Sequence, residues 1–389
     1  MSSPNGFPVQ RFQALETPFY YYDTALLSRT LDAALDAMRA VDPACLHYAV
    51  KANNQSRILG MMAAKGLGAD CVSGGEVKAA LSAGIPPERI VFAGVAKADW
   101  EIRLGLEEGI FCFNVESEEE LEVISEIAAE MGKVSRVALR INPDVAAHTH
   151  KNIQTGQQED KFGIHMDRMI PLIQKARKMK SVEVIGLHFH IGSQILDMND
   201  FRDLCLRVNA LQDKLEASGI HLEHINLGGG LGVSYTDVDE HLLPDFQGFF
   251  STIRQYLKVR PFQTLHFEFG RCLVAQSGSL ITRVLYVKKA VMKQFAILDA
   301  GMTDLIRPAL YQAHHQIENL TSEKEETLLY DVVGPICEST DVFALDERLP
   351  LTRRGDIVAI RSAGAYGQSM ASEYNLRPLA PAVYSDTLS

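Results

Sequence analysis

The sequence is short of the features that would take it out of the ordinary globular class. Its six cysteines (Cys45, Cys71, Cys112, Cys205, Cys272 and Cys337) are scattered, with no Cys-x-x-Cys pair. That excludes a zinc knuckle, a redox dithiol and a disulfide-stapled scaffold, and fits reduced thiols. There is no basic excess: 38 Lys and Arg stand against 49 Asp and Glu, a net charge of −11. Neither nucleic acid nor an anionic membrane finds a general electrostatic footprint, and an anionic substrate must be met by local arginines. No uncharged apolar run reaches the ~18 residues that span a bilayer, and residues 1–16 lack the basic segment, apolar stretch and cleavage site of a secretion signal. With Gly 28 and Pro 15, collagen-like and low-complexity classes are also excluded. What remains is a 389-residue, soluble, cytoplasmic chain, 47% hydrophobic and 22% charged. At roughly 150 residues per domain it is long enough for two or three domains.

Eight short β-rich apolar runs recur at residues 46–50, 68–72, 90–95, 111–115, 136–141, 184–188, 224–227 and 265–269. The stretches between them, such as 56–65 and 76–83, read as amphipathic helices; residues 117–131 open with Ser117 capping a Glu-rich first turn. Alternation repeated eight times predicts an α/β chain with a (β/α)8 TIM-like barrel over residues 24–272. The polar stretch 142–165, with Thr155-Gly156, reads as an insertion at the catalytic end. After Arg271 the runs become 279–287, 294–298, 328–333 and 356–360 with little helix between, which predicts a C-terminal, mainly-β domain over 273–389. The early run 18–22 adds a strand to it, so residues 1–23 belong with that domain.

Active sites of such barrels lie at the carboxyl ends of the strands. The residues there are chemically rich: Lys51, Asp70, Ser73, Arg140, Asn142, His190, Ser193, Gly228-Gly229-Gly230, Glu268 and Arg271. A lysine directly after a buried strand is awkward structurally, because an unpaired ammonium in an apolar site is costly; its pKa should fall. That makes Lys51 a usable amine for a Schiff base with a carbonyl cofactor, pyridoxal phosphate being the common one. The alternative is a rim lysine in a surface ion pair. The triple glycine offers close backbone approach and exposed amides for a phosphate, or is simply a flexible turn. Glu268 can pair with a protonated pyridine nitrogen, or else with an arginine such as Arg140. His188 and His190 share a strand face and raise a metal reading, but no second histidine pair and no His-Glu-x-x-His helix accompanies them, so no metal is expected. A flat imidazole there can instead stack on a cofactor ring.

In the β domain, Gly334-Pro335-Ile336-Cys337-Glu338-Ser339 presents a thiol beside a carboxylate, which favours a proton donor over a thiolate nucleophile. Residues 299–311 combine turn residues with Arg307 and Tyr311, and an arginine fork suits a carboxylate.

Taken together these residues resemble the pyridoxal-phosphate-dependent decarboxylases with an alanine-racemase-like barrel, and within them the subgroup acting on diaminopimelate. The resemblance runs from Thr17-Pro18-Phe19-Tyr20 to Tyr374-Asn375-Leu376-Arg377-Pro378. Tyr48-Ala49-Val50-Lys51-Ala52-Asn53 is similar to the cofactor-lysine motif, and His190-Ile191-Gly192-Ser193 to the segment whose histidine stacks on the ring and whose serine reaches the phosphate. The resemblance implies Asp70 near the Schiff base, Gly228, Gly229 and Gly230 at the phosphate, and Glu268 on the pyridine nitrogen. It further implies Tyr366, in Gly364-Ala365-Tyr366-Gly367, as a phosphate donor. Arg271, Arg307 and Tyr311 would grip the distal carboxylate, Cys337 would handle the proton and Glu338 the distal ammonium. A homodimer with shared sites follows, since in the family the last of these residues enter from the second subunit. The usual Glu-Pro-Gly-Arg stands here as Glu268-Phe269-Gly270-Arg271, with the proline's rigidity gone.

Overall fold

The computed structural model describes residues 6–145 and 161–388. The chain divides into two compact units, one of Leu31–Gly232 and Asp245–Gly270, the other of Met1–Thr30, Val233–Pro244 and Arg271–Ser389.

The first unit is a closed barrel of eight parallel strands: Ala44–Ala49, Gly68–Cys71, Ile90–Phe92, Cys112–Val115, Ser135–Asn142, Val182–His188, His224–Asn226 and Thr264–Phe269. Each pairs with the next in chain order, and the eighth returns to the first with Glu268 opposite His47. All eight coincide with predicted runs, with ends shifted by no more than three residues.

Two of the helices between them begin where a serine satisfies their first amides. Ser117 accepts from the Glu120 amide at 3.1 Å at the start of Glu118–Glu130, whose first turn carries Glu118, Glu119 and Glu120 against the positive end of the helix dipole. Ser73 does the same for Glu76 at 3.2 Å, and the Glu76 carboxylate takes the amide of Val72, one residue before the cap, at 2.7 Å, which fixes the chain just after the second strand. Of the predicted 142–165 insertion, residues 146–160, with Thr155-Gly156, lie outside the described residues.

The eighth strand shows how the barrel is sorted. Leu265, Phe267 and Phe269 face outward and are fully buried. Phe267 and Phe269 pack with Phe249 and Phe250 of helix Phe246–Tyr256, centroids 5.0–5.9 Å apart. Their neighbours His266 and Glu268 face inward. Phe269 is therefore an aromatic anchor of the barrel wall.

In the second unit Phe19–Tyr22 runs antiparallel to Gly278–Lys289 and parallel to Ala382–Tyr384, so both chain ends share one sheet. Its other strands run in the order Ile317–Asn319, Ile357–Ile360, Gly278–Lys289, Gln294–Leu298, Thr327–Val333 and Val342–Pro350. Three of these, Ile317–Asn319, Val342–Pro350 and Ala382–Tyr384, were not among the predicted runs. Among the described residues no helix is long and apolar enough to cross a membrane.

Phe249 is 1% exposed and touches Phe201, Phe250, Phe267 and Phe269. Phe249→Ala is expected to cost about 3–5 kcal/mol, read from the urea midpoint and slope; a loss below about 1 kcal/mol would mean the cluster does not hold the helix.

Candidate functional site

At the barrel mouth, Glu268 is nearly sealed from water and held by three donors. Its Oε1 accepts from Asn226 Nδ2 at 2.6 Å and Asn114 Nδ2 at 3.1 Å, and its Oε2 from His188 Nε2 at 2.9 Å. Burial alone would raise its pKa; the charge and hydrogen bond of His188 outweigh that, and the net direction is down, so the carboxylate is an anion. Arg140, the alternative partner, is taken by Glu116 at 2.6 Å.

Asp70, buried on the second strand, has the opposite fate. Desolvation first and the Glu268 anion second push it up to about 8, against the pull of Lys51. Its Oδ1 has no hydrogen-bond partner, and its Oδ2 lies 4.0 Å from Lys51 Nζ. Lys51 itself departs from the sequence argument. It sits on the 3-10 turn Val50–Ala52 with its side chain 43% exposed, so burial is not what conditions this amine.

His190 lies just past the sixth strand. Desolvation, then the charges of Arg140 and Lys51, hold its pKa well below the usual imidazole range. The Gly229 amide donates to its Nδ1 at 3.3 Å, which places the ring proton on Nε2. His188 and His190 thus serve different partners.

The three glycines are there because nothing larger fits. A Cβ would fall 2.3 Å from the Phe189 carbonyl oxygen at Gly228, 1.9 Å from that of Glu268 at Gly229 and 2.7 Å from that of Gly192 at Gly230, where φ is +106°. The cradle is narrower than three amides. Gly228 donates to Asn226 Oδ1 at 2.9 Å and Gly229 to His190, which leaves the Gly230 amide as the donor the turn offers. Ser193 stands half-buried three residues beyond His190.

The second unit carries the other predicted residues. Arg271 and Arg307 are both buried and share Tyr235: Arg271 Nη1 donates to its hydroxyl at 2.7 Å, and the Arg307 guanidinium lies 4.6 Å from its ring centroid. Arg271 also covers the Tyr366 ring at 4.8 Å. Tyr366 holds φ at +56°, a region a bulky residue rarely occupies. Arg307 opens the short helix Arg307–Tyr311, donates from Nη1 to His315 Nε2 at 2.7 Å, and makes no ion pair among the described residues. Cys337 and Glu338 make a separate group. The Cys337 amide donates to Asn375 Oδ1 at 3.1 Å, and the Tyr374 hydroxyl donates to Glu338 at 2.8 Å.

These residues fit pyridoxal phosphate. An ionised carboxylate has about four acceptor positions, and three on Glu268 are filled, leaving one for a ring N–H. The glycine turn offers an amide and Lys51 an accessible amine.

A family model described as "Pyridoxal-dependent decarboxylase, pyridoxal binding domain" matches residues 27–275. The chain belongs to the pyridoxal-dependent decarboxylases. It is 60% identical over 382 residues to diaminopimelate decarboxylase of Bacteroides thetaiotaomicron, covering 98% of this chain and 99% of that protein. It is 40% identical to the Aquifex aeolicus diaminopimelate decarboxylase over 95% of this chain and 87% of that one. A crystal structure of diaminopimelate decarboxylase from Helicobacter pylori complexed with L-lysine superposes with a TM-score of 0.89 at 42% identity, covering 97% and 93% of the two chains.

Four residues of this decarboxylase escaped the sequence reading: Asn114, Asn226, Tyr235 and His315. Asn114 left a signal, an amide on a barrel strand otherwise apolar, and Asn226 a weaker one beside His224. The other two left none, since their partners are brought in by the fold.

Because the folded-state pKa of Asp70 is raised to about 8, above the ~3.9 of an unfolded chain, its contribution to stability is full below roughly pH 4 and is lost as pH rises through that folded value. In the cofactor-free decarboxylase Asp70→Asn is therefore expected to gain in Tm relative to the parent between about pH 5 and 8. A difference independent of pH would show Asp70 ionised throughout.

Proposed function

We propose that this chain decarboxylates meso-diaminopimelate to L-lysine and carbon dioxide with pyridoxal phosphate as cofactor, the last step in making lysine. The observation that carries the choice of substrate is Arg307, a buried guanidinium with no carboxylate partner among the described residues and with Arg271 as a second cation near it. Such a group favours a substrate that brings a second carboxylate, which ornithine and arginine lack. The near-full-length identity to named diaminopimelate decarboxylases supports the same reading.

Bound pyridoxal phosphate supplies an electron sink for the pair left behind when carbon dioxide departs. Lys51 would hold the cofactor covalently through its amine, with Asp70 beside it. Glu268, held as an anion, would keep a proton on the ring nitrogen. His190 would offer its flat imidazole to the ring, while Ser193, Gly228, Gly229, Gly230, Gly270 and Tyr366 would form the phosphate side, Gly230 giving the amide. The mainly-β domain supplies the substrate's other contacts: Arg271, Arg307 and Tyr311 take the distal carboxylate and Glu338 the distal ammonium. The reaction consumes one proton at the carbon that lost its carboxylate, and the Cys337 thiol delivers it. Cys337 and Glu338 of one copy serve the site of the other, so the working form is a homodimer, in the cytoplasm.

Purified protein with pyridoxal phosphate is expected to release carbon dioxide and lysine from meso-diaminopimelate, and no product from ornithine or arginine. Lys51→Ala should lose both turnover and the visible absorbance of the covalently held cofactor; activity retained there would remove Lys51 from the mechanism. Arg307→Ala should lower kcat/KM for diaminopimelate about 10–100-fold, chiefly through KM, as expected for a lost charge-assisted contact.

A further inference from the structure

Arg307 is a long, flexible side chain asked to present a flat fork. After the helix Arg307–Tyr311, Gln312 turns the chain through a left-handed residue with φ of +53°, and His315 comes back beneath the guanidinium it follows by eight residues. His315 is 1% exposed. Its Nδ1 lies 2.8 Å from the Arg361 carbonyl oxygen, which can only accept, so the ring proton is on Nδ1 and the Nε2 lone pair faces Arg307.

That carbonyl is itself fixed. The Arg361 amide donates to Gln316 O at 2.9 Å, and its guanidinium pairs with Glu318 at 2.6 Å and Asp239 at 3.0 Å. Tyr235 is tied to the same residue, its carbonyl accepting from the Gln316 amide at 3.0 Å, and its ring meets His315 edge-on at 5.0 Å. His315 therefore occupies Nη1 of Arg307 and leaves the Nε–Nη2 edge, whose Nε is buried without a partner. This edge is a carboxylate's bidentate face.

We propose that His315, with Tyr235 as its support, is a positioning residue for carboxylate recognition: it holds the Arg307 fork as a neutral acceptor, so that the fork is aimed without being neutralised. Burial and the Arg307 charge push its pKa down to about 3, in keeping with a ring that adds no second cation. A carboxylate in that place would pair with Arg307 permanently and compete with the substrate. The inference rests on Arg307 gripping the distal carboxylate.

Asparagine and glutamine separate the two bonds of the ring. Asparagine reaches the Nδ1 position and keeps the Arg361 carbonyl, while glutamine reaches the Nε2 position and keeps Arg307. In the holoenzyme, His315→Asn is expected to raise the KM for meso-diaminopimelate and the inhibition constant of L-lysine about 10-fold, with kcat within about 2-fold. The inhibition constant of cadaverine, a diamine with no carboxylate, should stay unchanged, and His315→Gln should stay near the parent throughout. An unchanged lysine constant in His315→Asn overturns the proposal, as does an equal loss in both variants or a matching loss for cadaverine. If Arg307→Ala leaves lysine binding unchanged, the underlying reading of Arg307 fails instead. Should His315→Asn not fold, His315→Leu, which fills the space but offers Arg307 no acceptor, is expected to weaken lysine but not cadaverine, and no selective loss there overturns the proposal.

Discussion

A carboxylate enclosed in a barrel must be surrounded by fixed donors before anything else at its mouth can work. Barrel interiors are usually filled with branched aliphatic layers. Here one layer is polar, with Asn114, His188 and Asn226 drawn from three strands onto the single carboxylate of Glu268. A buried anion without them would cost several kcal/mol or take up a proton. With them it stays charged and forces the accommodation onto its neighbour, so that Asp70 is the carboxyl that holds a proton. Two acids at one mouth thereby acquire different states from their surroundings alone.

The second unit applies the same rule with the sign reversed. Arg307 is buried against Tyr235 and His315, partners that fix it without cancelling its charge. A carboxylate that arrives there relieves an existing deficit, whereas an otherwise similar amino acid lacking it leaves the deficit in place. Discrimination of this kind comes from the buried group left unpaired, and it exceeds what hydrophobic shape can supply. Under the proposed assignment, specificity and cofactor binding are both electrostatic problems, met by Arg307 and by Glu268.

The barrel was legible because its strands are short apolar runs set off by amphipathic helices, and the residues closing each run drew attention to Lys51, His190 and Glu268. Val342–Pro350 was not, because Asp346, Glu347 and Arg348 interrupt it, Asp346 at a φ of +50° where its pairing to Thr327–Val333 shifts register. That pattern reads as a charged loop until a partner strand is known. Lys51 was found for a reason that does not hold: the 3-10 turn lifting it into partial exposure has no signature in Val50-Lys51-Ala52. The triple glycine was visible, but which amides it leaves available depends on Asn226 and His190, and that is a tertiary fact.

Below Glu268 the barrel contains a further polar row. His47 Nδ1 lies 3.1 Å from the Arg89 carbonyl oxygen, His47 Nε2 lies 2.9 Å from His266 Nδ1, and His266 Nε2 lies 3.0 Å from His224 Nδ1. The carbonyl fixes the His47 proton on Nδ1, and each following ring donates from its Nδ1 to Nε2 of the ring before it, so the row is satisfied with one proton per ring. Burial lowers the pKa of all three. A charged imidazole at His47, the register partner of Glu268, would sit as a further cation beside that anion. A neutral floor leaves His188, Asn114 and Asn226 as the partners of Glu268, and the proposed assignment gives its fourth acceptor position to the cofactor's ring N–H.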